Sequence, residues 1–77
     1  MSRQIQDLDF LEWEVFASAA NSGFADKSQI VFNCLSNRLL RPRVVELEDD
    51  VAEAGKRVAE GTPAELLQLL MRAHALD

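Results

Sequence analysis

The chain has 77 residues, of which 48% are hydrophobic, and its formal net charge at pH 7 is −5. This length accommodates one small domain, and this apolar fraction excludes a disordered chain. One cysteine excludes an internal disulfide, and apolar runs of at most three residues exclude a membrane-spanning helix. These values predict a single cytoplasmic domain over residues 1–77, with a flexible segment at residues 1–6.

Positive charge is concentrated in the middle of the sequence. Residues 27–45 carry four basic side chains and no acidic one, whereas both flanking segments are acidic. Basic side chains gathered on one surface create a local field that the net charge hides. We therefore expect Arg38, Arg41 and Arg43 to bind an acidic surface on a partner.

The first predicted element is a helix that Asp7 or Asp9 can cap and that runs to about Asn21. Its apolar residues fall on two stripes with helical spacing, and its alanines favour a helix. The alternation of apolar and acidic residues over 11–15 leaves a short strand open as the alternative. Trp13 is expected in the core, or as an aromatic anchor for a partner if its side chain is exposed.

A second helix is predicted from Asp26 to about Leu40. Asp26 can cap it, and Gln29 stands at the spacing of a capping box. Its expected core stripe consists of Ile30, Val31, Cys34, Leu35 and Leu39. Pro42 restricts the preceding residue to extended geometry, so the helix should end before it.

Residues 43–60 allow two interpretations. A 3-4-3-4 spacing of apolar residues indicates one amphipathic helix from Arg43 to Glu60. Alternatively, the paired valines at 44 and 45 favour a short strand over 43–47. In that case Asp49 would cap a helix that begins near residues 48–50.

The segment from Gly61 to Glu65 is a strong helix-start signal. Thr62 is the expected N-cap, Pro63 the first helical residue, and Glu65 the partner in a capping box. The helix should run to about Ala75. Its broad apolar surface, which includes Leu66, Leu70 and Met71, predicts a homodimer or a docked protein partner.

The elements together predict a mainly α fold, a small three- or four-helix domain, with one short strand at 43–47 as the variant. No metal-ligand cluster, phosphate-binding loop or nucleophile motif occurs, and His74 has no catalytic partner near it in sequence. We expect no enzyme activity and no cofactor.

Residues 41–76 resemble the ribbon-helix-helix family. The resemblance rests on Arg43-Val-Val-Glu-Leu-Glu-Asp, Val51-Ala-Glu-Ala-Gly-Lys-Arg-Val-Ala and Gly61-Thr-Pro-Ala-Glu-Leu-Leu. It implies a strand and two helices, with strands from two chains paired in the DNA major groove. The turn is one residue short, and Glu46 stands where the family usually has a polar or basic side chain.

The function that these observations favour is that of a small acidic regulator that binds another protein. An inhibitor or adaptor of bacterial or phage origin would suit this size. The binding residues would be Trp13, Arg38, Arg41, Arg43, Leu66, Leu70 and Met71. The alternative is a dimeric ribbon-helix-helix transcriptional regulator or antitoxin, although the surrounding acids make nucleic acid the less favoured partner.

Overall fold

The structure, a computed structural model, describes residues 2–19, 28–37, 39–48 and 50–75. These residues form a five-stranded sheet and two helices, so the predictions of a mainly α fold and of an all-α class are wrong. In chain order, the elements are β1 (Ser2–Gln6), β2 (Glu12–Ala19), β3 (Ser28–Cys34), β4 (Arg43–Leu47), α1 (Val51–Glu60), α2 (Pro63–Arg72) and β5 (His74–Ala75).

The strands bury alternate apolar side chains on the face of the sheet that the helices cover, and β3 and β4 also bury Val31 and Val44 on the opposite face. In β2, Trp13 and Val15 are buried, whereas the acidic residues on either side of Trp13 are not. In β3, Ile30 and Phe32 are fully buried on that same face. Since side chains alternate between faces along a strand, these four residues share one face of the sheet.

The sheet is an antiparallel meander whose strand order follows the chain, β1-β2-β3-β4-β5. Its register places Val15 opposite Phe32 and Trp13 opposite Cys34, so that the apolar side chains of neighbouring strands are adjacent. The two helices cover this face through Ala54, Val58, Leu66 and Leu70. One apolar layer between sheet and helices is therefore the core of the domain.

Three predictions for the first half of the chain are corrected by this sheet. The segment 1–6, expected to be flexible, is mostly β1 and pairs with β2. The predicted first helix is a turn followed by β2. A strand, the alternative for residues 11–15, is therefore confirmed, although β2 begins at Glu12 and continues to Ala19. The predicted helix from Asp26 is β3 and the connection after it, while Asp26 itself lies outside the described residues.

The strand alternative is also confirmed for residues 43–47, which form β4 between β3 and β5. The helix that follows begins at Val51, and its N-cap is Asp50, not Asp49 as predicted. The backbone N–H of Glu53 donates to Oδ1 of Asp50 at 2.8 Å. Asp49 lies outside the described residues.

Arg3 joins the edge strand β1 to the end of α1. Its Nη1 donates to the carbonyl oxygen of Val58 at 3.2 Å and to that of Gly61. The last carbonyls of a helix lack intrahelical donors, and a cation there is also favoured by the helix dipole. This side chain thereby ties the N-terminal strand to the helical layer.

The predicted start of the last helix is confirmed. The Glu65 N–H donates to Oγ1 of Thr62 at 3.2 Å, and Pro63 is the first helical residue. The Glu65 carboxylate accepts from the Thr62 backbone N–H at 3.5 Å, which completes the capping box. The helix ends at Arg72, however, because the chain then turns into β5.

Replacing Thr62 by alanine tests this cap. Thr62→Ala leaves the Glu65 N–H without its acceptor and should lower the free energy of unfolding by about 0.5–2 kcal/mol. Urea denaturation measures the effect, with Thr62→Ser as the control that keeps the hydroxyl. Equal midpoints for the alanine variant and the wild type would contradict the capping role.

The described ranges contain two helices. Neither helix is long and apolar enough to cross a membrane.

Candidate binding surface

Two connections lie side by side at one end of the sheet. Because β1, β2, β3 and β4 form a meander, the β1–β2 and β3–β4 connections emerge at the same end. Two hydrogen bonds tie the β3–β4 connection to Glu12, the first residue of β2, where the β1–β2 connection ends: the Leu35 N–H donates to the Glu12 carbonyl at 2.8 Å, and the Glu12 N–H donates to Oγ of Ser36 at 2.9 Å. We call the surface formed by residues 7–11 and by the described residues of 35–42 the loop end.

The loop end carries most of the exposed large apolar side chains that the described residues contain. Seven such side chains are exposed in those residues, and five of them belong to the loop end. Their exposed fractions are 78% for Leu8, 78% for Phe10, 40% for Leu35, 92% for Leu39 and 40% for Leu40. A concentration of apolar residues at one end of a small domain is characteristic of an interaction site.

A recess of about 340 Å³ opens within this surface. Asn33, Cys34, Leu35 and Leu40 line it. Two of these residues end β3 and two belong to the β3–β4 connection. The recess therefore lies between the end of β3 and the loop that follows it.

Asp7 holds the β1–β2 connection in place. Its Oδ1 accepts from the backbone N–H groups of Asp9 at 2.8 Å and Leu11 at 3.0 Å. Its Oδ2 accepts from Nε1 of Trp13 at 2.8 Å. Since the Trp13 ring is buried in the core, this last bond fixes the exposed loop to the interior of the domain.

The pKa of Asp7 reflects these contacts. Desolvation by burial raises the pKa of its carboxyl group, but the hydrogen bonds from Trp13, Leu11 and Asp9 lower it. Their combined effect places the pKa of Asp7 below its ordinary value of 3.8. The carboxylate form, which accepts all three bonds, is thus the form that this loop requires.

Phe10 adopts a backbone conformation that is unusual for an aromatic residue. Its φ is 64°, in the left-handed region, and it is the one non-glycine residue with positive φ in the described part of the chain. The Phe10 N–H donates to the Asp7 carbonyl at 3.1 Å, and the Asp7 N–H donates to the Leu11 carbonyl at 2.9 Å. Where a tight turn is followed by a residue with left-handed backbone geometry, that residue is normally glycine.

A glycine at position 10 should therefore stabilise the isolated domain. Phe10→Gly relieves the left-handed strain and removes no buried contact, so we expect the free energy of unfolding to rise by about 0.5–1 kcal/mol. Leu8→Gly is the matched control, because Leu8 is equally exposed but has no positive φ. A loss of stability in Phe10→Gly equal to that of the control, measured by urea denaturation, would contradict this assignment.

The loop end also carries charges of both signs. Arg41 is exposed in the β3–β4 connection, and Arg43 is exposed as the first residue of β4. Asp9 is exposed on the other connection, and Glu12 is exposed beside it at the start of β2. Arg38, the third arginine of the predicted cluster, lies outside the described residues.

The remaining predicted binding residues are not part of the loop end. Trp13, Leu66 and Leu70 are buried in the core, with exposed fractions of 4%, 1% and 4%. These side chains pack between sheet and helices and do not present a surface to a partner. Met71 is exposed on α2, so it alone remains from the apolar surface that was expected on the last helix.

Other features of the described residues offer fewer apolar contacts to a ligand than the loop end does. An open groove of about 560 Å³ lies along α1 and α2, and most of the side chains that line it are charged. His74 is exposed, and its Nδ1 lies 3.4 Å from the carbonyl oxygen of Ala75. No group of three or more metal-ligating side chains occurs in the ranges that the structure covers.

The predicted first helix placed Leu8 and Phe10 on its apolar stripes, with Phe10 in the core or, if exposed, as an aromatic anchor. The structure places both in an exposed turn. Local turn signals were nevertheless present. Asp7 and Asp9 favour side-chain-to-backbone hydrogen bonds in turns, and Asn37 with Pro42 marks a second loop. Read together, these residues indicate two turns with leucines at their tips.

The loop end thus offers apolar contact area, a recess and charges of both signs on a surface held by the core. No protein-family model matches this chain, and comparisons with curated proteins and with solved structures find no match.

Proposed function

We propose that this chain is a non-enzymatic domain that binds another protein, and that the loop end is its binding surface. The observation that carries the proposal is the gathering of five exposed apolar side chains on two adjoining loops. Loops that project from a rigid scaffold are common sites of recognition. Apolar anchors inserted into a partner provide most of the binding energy in such interfaces.

The conformation of Phe10 supports the same proposal. Its side chain is 78% exposed, so it contributes little to the core, yet its backbone is held where glycine has the lower free energy. Backbone strain of this kind is concentrated at functional sites. A role in contact with a partner accounts for an aromatic residue at this position.

The arginines suggest the chemistry of the partner surface. Arg41 and Arg43 border the apolar residues, so a complementary surface would combine an apolar patch with acidic groups. Charge pairing at the edge of an interface mostly accelerates association. Reversal of both arginines to glutamate should then slow binding while the exposed positions leave the fold intact.

Site-specific photo-crosslinking in cells, followed by reconstitution, tests the proposal. A photoreactive amino acid at position 39 should crosslink a specific protein, whereas one at position 68, which is exposed on α2, should not. The captured protein is then purified, and its affinity for the wild type and for Leu39→Asp is measured. A loss of affinity of at least about tenfold is expected for removal of an apolar anchor. Equal affinities, or crosslinks from position 68 alone, would refute the proposal.

DNA binding is the second candidate, and one observation favours it. The order β4-α1-α2 matches the strand and two helices that the family resemblance implies. In this structure, however, β4 is paired on both sides, so β5 would have to leave before β4 could pair with a second copy. Duplex binding at physiological salt with a steep log–log salt dependence would support this candidate.

A further inference from the structure

The charges around the loop end are balanced, although the chain as a whole is acidic. Two exposed acidic side chains, Asp9 and Glu12, belong to the first connection and its border. Two exposed basic side chains, Arg41 and Arg43, belong to the second connection and its border. The entire net charge of −5 is therefore carried by the rest of the chain.

This distribution determines how two copies of the chain can approach each other. Acidic surfaces on two copies repel each other, but the four exposed charges of the loop end and its border sum to zero. Its acidic and basic residues are also separated, because each sign belongs to a different loop. A two-fold axis between the loops would place the acidic loop of each copy on the basic loop of the other, twice in one interface.

The apolar side chains are arranged in the same complementary way. Phe10 projects from the first loop and is 78% exposed, whereas the recess of about 340 Å³ lies beside the second loop. In such an arrangement Phe10 of one protomer would face the recess of its partner. Leu35 and Leu40 would then surround an aromatic ring, the arrangement that is typical of strong anchors in interfaces.

We propose that a second copy of this chain covers the loop end in a two-fold symmetric dimer. The inference rests on the proposed function, because the dimer uses the same surface as the partner and is the form of the protein before a partner binds. A protein partner and the second copy compete for the loop end. Self-association then controls how much of the binding surface is free, and partner binding becomes dependent on concentration.

Charge reversal at Asp9 and Arg41 tests the pairing. Both side chains are exposed, so Asp9→Arg and Arg41→Glu should keep the circular dichroism spectrum and the urea midpoint of the wild type. The wild type should sediment as a dimer at micromolar concentration. Each variant alone places like charges opposite each other and should raise the dimer dissociation constant at least about tenfold.

An equimolar mixture of the two variants gives the decisive result. The loop end of Asp9→Arg is basic and that of Arg41→Glu is acidic, so the two should form a heterodimer with an affinity near that of the wild type. The chain that carries both reversals should likewise dimerise with itself. A mixture that remains monomeric, or single variants that dimerise as the wild type does, would overturn the proposal.

Failure of the dimer and failure of the proposed function give different experimental results. A wild type that is monomeric at hundreds of micromolar, together with a partner whose binding depends on Leu39, would refute the dimer and leave the proposed function in place. A dimer that responds to charge reversal as expected, without any partner whose binding depends on Leu39, would support the dimer and refute the proposed function. Sedimentation and the crosslinking experiment therefore separate the two proposals.

Discussion

Phe32→Ala is expected to destabilise the domain by about 3–5 kcal/mol, the cost of removing a fully buried aromatic side chain. Phe32 has no exposed surface and lies in the centre of β3, opposite Val15 on the covered face of the sheet. A domain of 77 residues has a total stability of about 4–12 kcal/mol. This one substitution should therefore remove a large part of the stability, as measured by urea denaturation.

Leu39→Ala is the matched control, because Leu39 is 92% exposed. Its effect should stay within about 0.5 kcal/mol. The pair also separates the sheet from the predicted helix, in which Leu39 was a core residue and Phe32 was not. A large loss in Leu39→Ala with a small loss in Phe32→Ala would reject the sheet. If Phe32→Ala does not fold, Phe32→Leu provides a milder measurement of the same burial.

Asp7→Ala has the second-largest expected effect, a loss of about 2–3 kcal/mol in the free energy of unfolding. The substitution removes the acceptor of three hydrogen bonds and leaves Nε1 of the buried Trp13 without its partner. Trp13 fluorescence should change as well, because its indole N–H is no longer bonded to a carboxylate. Asp9→Ala is the control, since the Asp9 side chain is exposed and the substitution keeps the backbone N–H that donates to Asp7.

The stability conferred by Asp7 should depend on pH in a defined direction. Its pKa in the folded state lies below the ordinary value of 3.8, so the carboxylate contribution is complete above about pH 5. The contribution is lost as the pH falls through the folded-state pKa. The difference in unfolding free energy between the wild type and Asp7→Asn should therefore shrink below about pH 4. A difference that stays constant from pH 7 to pH 2.5 would contradict this role.

These two predictions concern connected parts of the molecule. Phe32 belongs to the core against which Trp13 packs, and Trp13 holds Asp7 through one hydrogen bond. Asp7 in turn orders the loop that exposes Leu8 and Phe10. The binding surface that we propose is thus supported by the core through a short chain of contacts, which reduces the entropy lost when a partner binds.

The sequence by itself determined the features that depend on neighbouring residues. Thr62, Pro63 and Glu65 form the predicted capping box, because its hydrogen bonds join residues three apart in the chain. The strand at 43–47 was one of two interpretations, since adjacent β-branched valines restrict the local backbone. The separation of basic and acidic segments was also evident, because charge counts require no fold.

Only the tertiary structure decided between helix and strand in the first half of the chain. Val15 and Ala19 are four residues apart, as are Ile30 and Cys34, and an even spacing of four fits both a helical stripe and one face of a strand. The choice is made by pairing between distant segments, such as Val15 with Phe32, which no local pattern encodes. The same pairing places the two loops side by side, and with them the exposed residues of the loop end.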